Sequence, residues 1–315
     1  MPRIRKFPYL TPSRLPADHR DYELLCKLES AIYQHAGGKE KFEANIPVLF
    51  RQAIDEVIDP ARSGRFLLEE LQNSEKTYIG TKIEIILRNH LKLDRGIRLD
   101  VVIAGTEVDI KNTTGNSWMI PREAIGHPCI LLRTDEKAAR CWFGLVIAHQ
   151  DVLNPGGNQD QKTTIAAAHF INVMWMLYAH PYPRNFWEDV TASYRHELMK
   201  MKSGNTRVIS FFKHYIGIPI SRDVLLALAP QKDTLKRLRK NGGARDKLSA
   251  AGIALLSGKY HSSLIAALRL PFCDPHQFIS VIPRNPEELA LLQSEGLLPA
   301  LNSRVSNGPS PPNIV

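Results

Sequence analysis

The chain has 315 residues, 43% of them hydrophobic, with a formal charge of +9 and a pI of about 9.4. That is enough apolar material for two ordinary domains with cores of their own, and it excludes wholesale disorder. The basic surplus favours a polyanionic partner, nucleic acid before an anionic membrane surface. Cys26, Cys129, Cys141 and Cys273 form no C-x-x-C pair, which argues against a structural zinc site or disulfide framework and for reduced thiols. The basic start, Met1-Pro2-Arg3-Ile4-Arg5-Lys6-Phe7, leads into no apolar run of signal-peptide length. A cytoplasmic protein without a membrane span is expected.

Pro2, Pro8, Pro12 and Pro16 predict an irregular arm over residues 1 to 18. From Asp18, Tyr22, Leu24, Leu25, Leu28 and Ile32 recur at helical spacing up to Gly37-Gly38. A second helix is predicted from Phe42 to Ile58, ended by Asp59-Pro60. After a turn at Ser63-Gly64-Arg65-Phe66, Asn73 or Ser74 can cap a third helix on which Ile79, Ile83, Ile86 and Leu87 share a face, with Glu84 beside it. Gly80 weakens that helix and marks a place where something approaches closely. Ile97 to Val102 and Glu107 to Lys111, joined by Gly105-Thr106, form a hairpin signal. In its second strand Val108 and Ile110 point one way, Asp109 and Lys111 the other. Cys129 to Arg133 and Trp142 to Ala148 are further buried strands.

Beyond Ala148, Asn154-Pro155-Gly156-Gly157-Asn158 is a loop, and the apolar run Ile165 to Tyr178, too short to span a bilayer, predicts a buried helix. A proline-rich connector, His180-Pro181-Tyr182-Pro183-Arg184, places a domain boundary near 180. Helices are expected over Phe186 to Met201, Thr206 to Tyr215, Arg222 to Leu228 and Lys232 to Lys240. The last two, joined by Ala229-Pro230-Gln231, resemble a helix-turn-helix, with Gly242-Gly243 ending the second helix and Ile253 to Leu256 as a wing strand. The tail from Asn302 is Ser-, Pro- and Asn-rich, and disorder is expected there.

Glu84, Asp100, Asp109 and Lys111 are the chemistry-bearing residues. Hydrolysis of a phosphodiester builds charge on an anionic phosphate and needs a nucleophile better than neutral water, and bound Mg²⁺ answers both needs. Asp100 and Asp109 can each give an oxygen, with the Ile110 carbonyl as a third ligand. Lys111 would either polarise the attacking water or stabilise transition-state charge. Glu84 would hold a ligand water or a second metal. A D-x-K triplet alone is common, and Asp100 and Glu84 at their spacing are what lift it above a solvated strand face. Between 231 and 247 stand Lys232, Lys236, Arg237, Arg239, Lys240, Arg245 and Lys247 against Asp233 and Asp246, the pattern of a basic recognition helix for a DNA groove.

These residues resemble the PD-(D/E)XK nuclease superfamily and, more closely, the NaeI-like type IIE restriction endonucleases. The resemblance is carried by Ser63-Gly64-Arg65, Glu75-Lys76-Thr77, Gly80-Thr81, Ile83-Glu84-Ile85, Asp100, Ile103-Ala104-Gly105, Val108-Asp109 and Lys111. It continues through Trp118-Met119, Pro121, Glu123 and Ile125-Gly126-His127, then Leu238-Arg239, Gly242-Gly243-Ala244-Arg245 and Gly252-Ile253. It implies an α/β (α+β) architecture. A PD-(D/E)XK restriction-endonuclease-like mixed sheet flanked by helices spans 1–180, a C-terminal winged helix-turn-helix domain spans 181–301, and a disordered tail spans 302–315. It also implies a Mg²⁺-dependent, sequence-specific double-strand endonuclease, a homodimer that binds a second DNA site as effector.

Glu84, Asp100, Asp109 and Lys111 take the catalytic positions, with Asp100, Asp109, Ile110 and Glu84 toward metal. Asn112, Thr113 and Asn116, in a loop slightly shorter than the family's, are expected at DNA together with Lys232, Lys236, Arg237, Arg239, Lys240 and Arg245. Two alternatives are a nicking repair endonuclease similar to MutH and a non-enzymatic winged-helix regulator.

Overall fold

The structure is a computed structural model that describes residues 15–158, 160–230, 238 and 243–299. Its contacts divide the chain between Asp189 and Val190. The boundary therefore falls later than the predicted 180. Tyr182 lies in the first unit's core, and the buried Asn185 side chain donates to the Phe66 carbonyl at 2.7 Å.

The first unit opens on α1 (Tyr22–Ala36), α2 (Lys39–Ile58), the short α3 (Pro60–Ser63) and α4 (Asn73–Leu91). The helix α1 stops at Gly37, whose φ of 79° lets its N–H turn back onto Gln34 and Tyr33. The helix α2 stops at Asp59, in the left-handed region with φ 42°, just before Pro60. Neither Asn73 nor Ser74 caps α4, because both already lie inside it; the cap is Gln72, whose N–H donates to the Glu75 carboxylate at 2.9 Å. Leu25, Leu28 and Ile32 of α1, Phe42, Ile46 and Phe50 of α2, and Ile79, Ile83 and Leu87 of α4 are buried together. Each such side chain contributes about 1.5–3 kcal/mol.

The strands are β1 (Asp94–Arg95), β2 (Val101–Ile103), β3 (Thr106–Thr113), β4 (Met119–Ile120), β5 (Pro128–Asp135), β6 (Arg140–Ile147), β7 (Thr163–Thr164) and β8 (Met174–Pro181). Six of them form one sheet in the order β1-β2-β3-β5-β6-β8, while β4 pairs with β7. The β3–β5 pairing is parallel and the other four neighbouring pairs are antiparallel, so the sheet is mixed. Val108, Ile110, Ile130 and Leu132 meet the helices, whereas Cys129 and Leu131 join Trp118, Val146 and Phe170 in a second core.

The buried helix predicted over Ile165 to Tyr178 is instead a 3-10 turn, Ala167–Asn172, followed by β8. Periodicity cannot separate a buried strand from a buried helix in so short an apolar run. The decisive partner is remote: β8 lies on β6 at Gly144, where a Cβ would fall 2.5 Å from the Val173 side chain and 2.7 Å from Trp175.

The second unit contains α5 (Ala192–Lys200), α6 (Gly204–His214), β9 (Ile220–Ser221), α7 (Arg222–Leu228), α8 (Ala244–Ala250), β10 (Ala254–Ser257), α9 (Ser262–Ala267), β11 (Gln277–Val281) and α10 (Pro286–Ser294). The helix α5 starts later than the predicted Phe186, because Thr191 caps it by accepting from the Tyr194 N–H; Phe186–Asp189 form a separate 3-10 turn. The strands pair antiparallel in the order β10-β11-β9 over a core with Ala254, Leu256, Ile265, Ile279 and Leu292. The helix predicted over 232–240, the arm before residue 15 and the tail from 302 lie outside the described residues, with Leu238 alone described, and buried, in that helix. Among the described residues, no helix is long and apolar enough to cross a membrane.

Candidate active site on the β2–β3 hairpin

The hairpin turns through Ala104 and Gly105, with φ 49° and 79°. Two successive left-handed residues match the right-handed twist of the strands they join. The register pairs Ile103 with Thr106 and Val101 with Val108. Just before β2 begins, a side chain takes over from the ladder: the Ile110 N–H donates to Asp100 Oδ2 at 2.6 Å.

Asp109 follows Val108 on the opposite face, beside Cys129 in the parallel register, and Lys111 stands beside Leu131. Lys111 Nζ collects the site. It lies 2.9 Å and 2.8 Å from the two Asp109 carboxylate oxygens, 3.2 Å from the Ile110 carbonyl and 3.6 Å from Asp100 Oδ2. Asp109 is almost fully enclosed, with its side chain 4% exposed, whereas Lys111 and Asp100 open to solvent at 24% each.

Burial pushes the Asp109 carboxyl up to about 6, with Asp100 adding to the rise against the opposing Lys111 ammonium. Burial works against the Lys111 charge too, but Asp109 and then Asp100 more than offset it, and its pKa is raised. Burial pushes up the thiol of Cys129 behind the pair, with the Asp109 and Asp100 carboxylates adding to the rise and Lys111 opposing it. The donors that converge here are hard oxygens, and that donor set suits a hard divalent cation.

The structure thus brings together Asp100, Asp109, Ile110 and Lys111. Glu84 is on α4, which meets the other face of β3. Burial raises its pKa, with the Asp100 carboxylate second and the charges of Lys111, Arg88 and Arg95 opposing. Glu84 is therefore within electrostatic reach of the pair. Among the described residues no three His, Cys, Asp or Glu side chains stand close enough together to hold a metal by themselves. Asn112 continues β3 with its Oδ1 enclosed and lacking a hydrogen-bond partner among the described residues. Gly80 of α4 faces it, and a Cβ there would meet the Asn112 Cβ at 3.9 Å, an ordinary contact, so α4 does not need glycine for this approach. Thr113 accepts from the Gly115 N–H at 3.0 Å, and Asn116 is half-buried. Arg245, in the first turn of α8, is half-buried, and burial lowers its pKa. Lys232, Lys236, Arg237, Arg239 and Lys240 lie outside the described residues.

Glu107 is a residue that sequence reasoning passed over. Its carboxylate accepts from the backbone N–H groups of Ile97 and Arg98 and so fixes the loop that ends at Asp100. Only the cross-strand register reveals this role, because one acid on a strand carries no local signal.

Two comparisons with known proteins bear on this site. The family described as restriction endonuclease NaeI matches residues 41–288. A type II restriction enzyme NaeI from Lentzea aerocolonigenes is 30% identical over 226 residues, which cover 69% of this chain and 71% of that protein. A mixed sheet with a carboxylate–lysine hairpin and these matches define a site-specific deoxyribonuclease, an enzyme that cuts DNA. The reading as a non-enzymatic regulator falls away. The chain belongs to the NaeI restriction endonuclease family.

Proposed function

We propose that this type II restriction endonuclease cuts duplex DNA with Mg²⁺ at the Asp100–Asp109–Lys111 hairpin. The observation that carries the reading is the convergence of Asp109, the Ile110 carbonyl and Asp100 on Lys111 Nζ within 3.6 Å. Asp100, Asp109 and the Ile110 carbonyl would hold the metal, with Glu84 toward a ligand water. The ion supplies charge neutralisation and a more acidic water when bound. Lys111 presents its N–H groups to the attacking water and to the phosphate oxygens, stabilising the charge that develops there. The enclosure of Asp109 keeps bulk water from screening that charge. Asn112 and Thr113 at the end of β3, with Asn116 in the loop beyond it, are the residues offered to the bases.

The second unit fits a winged-helix module that holds a second DNA site as effector through Lys232, Lys236, Arg237, Arg239, Lys240 and Arg245. Support comes from the basic run, from α7 with Ser221 at its N-terminus, and from the small antiparallel sheet. Cutting both strands calls for two such sites, so a homodimer in the cytoplasm is the working assembly. The test is digestion of a sequenced plasmid with and without Mg²⁺, followed by mapping of the ends. Linear product at one recurring sequence, stimulated by a second copy, supports the reading. Nicked circles alone would favour the MutH-like activity, and metal-independent cutting would overturn it.

A further inference from the structure

The β1–β2 loop runs from Gly96 to Leu99 and delivers the chain to Asp100. It is held rigid from three sides. Gly96 has no room for a side chain, since a Cβ there would lie 2.3 Å from the Leu99 carbonyl oxygen. The N–H groups of Arg98 and Ile97 both point into the Glu107 carboxylate, and that pair of donors holds Glu107 below the usual carboxylate range. Leu99 is buried in the core that contains Trp118. Between these anchors the Ile97 side chain is 98% exposed, with Arg95 and Arg98 also exposed on either side of it.

A lone exposed apolar residue is ordinary on a protein surface. Here the surroundings distinguish it. The turn is fixed by backbone and by Glu107, and none of those contacts uses the isoleucine side chain. Its flanks are cationic, with Asp94 as the one acid of the adjoining strand and Glu107 already occupied by two N–H donors. The same segment reaches the candidate site, because Arg95 acts on the charge of Glu84 and Asp100 follows Leu99 directly.

We infer that Ile97 is an apolar wedge that presses between base steps of the bound duplex next to the cut phosphate, with Arg95 and Arg98 on the flanking phosphates. The inference rests on the reading of Asp100, Asp109 and Lys111 as the cutting site. An apolar side chain offered to a groove partly unstacks a step and fixes the duplex at that point. Arginines on either side hold the backbone without reading sequence. A preformed loop loses little freedom on binding, so its contacts contribute nearly in full to affinity. Ile97 is thus a positioning residue: it sets where the phosphate lies, and the chemistry belongs to the hairpin.

The test uses the full chain and a duplex with 2-aminopurine at the steps flanking the mapped cut. I97A and I97S should raise KM by about tenfold with kcat nearly unchanged. On a D109N background, which binds without cutting, the 2-aminopurine emission gained on binding should vanish with I97A. R98A should lower the salt slope of binding by about one. Since the Ile97 side chain is almost wholly exposed, the fold should survive, and an unchanged thermal midpoint confirms it. Wild-type KM and wild-type emission in I97A overturn the proposal, as does altered subunit assembly at unaltered DNA affinity, which would assign the tip to a second copy of the chain. If I97A cuts like the wild type while D109A does not cut, the wedge alone has failed and the cutting site stands.

Discussion

The Asp100 carboxylate and the Ile110 backbone are joined by a 2.6 Å hydrogen bond across the hairpin, so a side chain performs the work of a strand just before β2 begins. The same carboxylate is 3.6 Å from Lys111 Nζ. Asp100 therefore serves the fold and the site with one oxygen, and the two duties can be separated. D100A leaves the Ile110 N–H without its acceptor and should cost about 1–3 kcal/mol. D100N keeps an acceptor oxygen and should retain most of that stability while losing cleavage. Denaturant unfolding beside a plasmid assay reads both, and equal stability loss in the two variants would contradict the dual role.

Removing the charge at Asp109 or Lys111 should lower cutting by at least about 100-fold. DNA affinity should be largely spared, because neither residue is offered as a main phosphate grip. Cleavage rates and gel shifts on D109N and K111A check this. Wild-type rates in either variant would remove the hairpin from the chemistry.

Asp109 also gives the site a pH dependence. Its pKa in the fold, about 6, is above the ordinary 3.8, so the fold favours the protonated form. That contribution to stability is full below the ordinary value and is lost as pH rises through about 6. A divalent cation needs the ionised carboxylate, so its affinity should move the opposite way, weakening as pH falls through about 6. Mg²⁺ should therefore raise the thermal midpoint more at pH 8 than at pH 5. Equal shifts at both pH values would show that Asp109 is not a ligand.

Away from the site, Arg51 of α2 is paired with Glu136 at 2.5 Å, and the Tyr182 hydroxyl donates to the same carboxylate at 2.7 Å. The two charged side chains are 9% and 6% exposed. E136A would leave the buried Arg51 guanidinium with Asp55 as its remaining ion-pair partner among the described residues, and the Tyr182 hydroxyl without its acceptor, and should cost about 1–3 kcal/mol. G144A should cost about 1–3 kcal/mol by forcing β8 away from β6. Unfolding curves of both variants test whether the far edge of the sheet is as tightly determined as its packing indicates.

The candidate site was legible because its residues are local. Asp100 and Asp109-Ile110-Lys111 lie within one hairpin, where strand alternation speaks directly from sequence, but its turn is Ala104-Gly105 and not the expected Gly105-Thr106, and its first strand begins at Val101 and not at Ile97. The first two helices were readable for the same reason, since their apolar faces and stops are written at short range. The strand β8 was misread because what decides it is Gly144 on a strand far away in the chain. Glu107 was passed over because its partners, Ile97 and Arg98, are backbone groups that no residue pattern announces. Glu84 was placed on its helix correctly, but the sequence did not tell that α4 meets the face of β3 that carries Val108 and Ile110.

The two-residue turn at Ala104-Gly105 governs more than the hairpin's shape. Side chains along β3 alternate between a greasy face and a charged one, so their assignment depends on parity. Shifting β3 by a single residue against β2 would send Asp109 and Lys111 toward the helical core and bring Val108 and Ile110 out in their place. Such a slip would swap oil for charge on both sides at once, and neither side could accept it. Turn length therefore decides which face of β3 carries the carboxylate and the lysine, as much as the identity of those residues does.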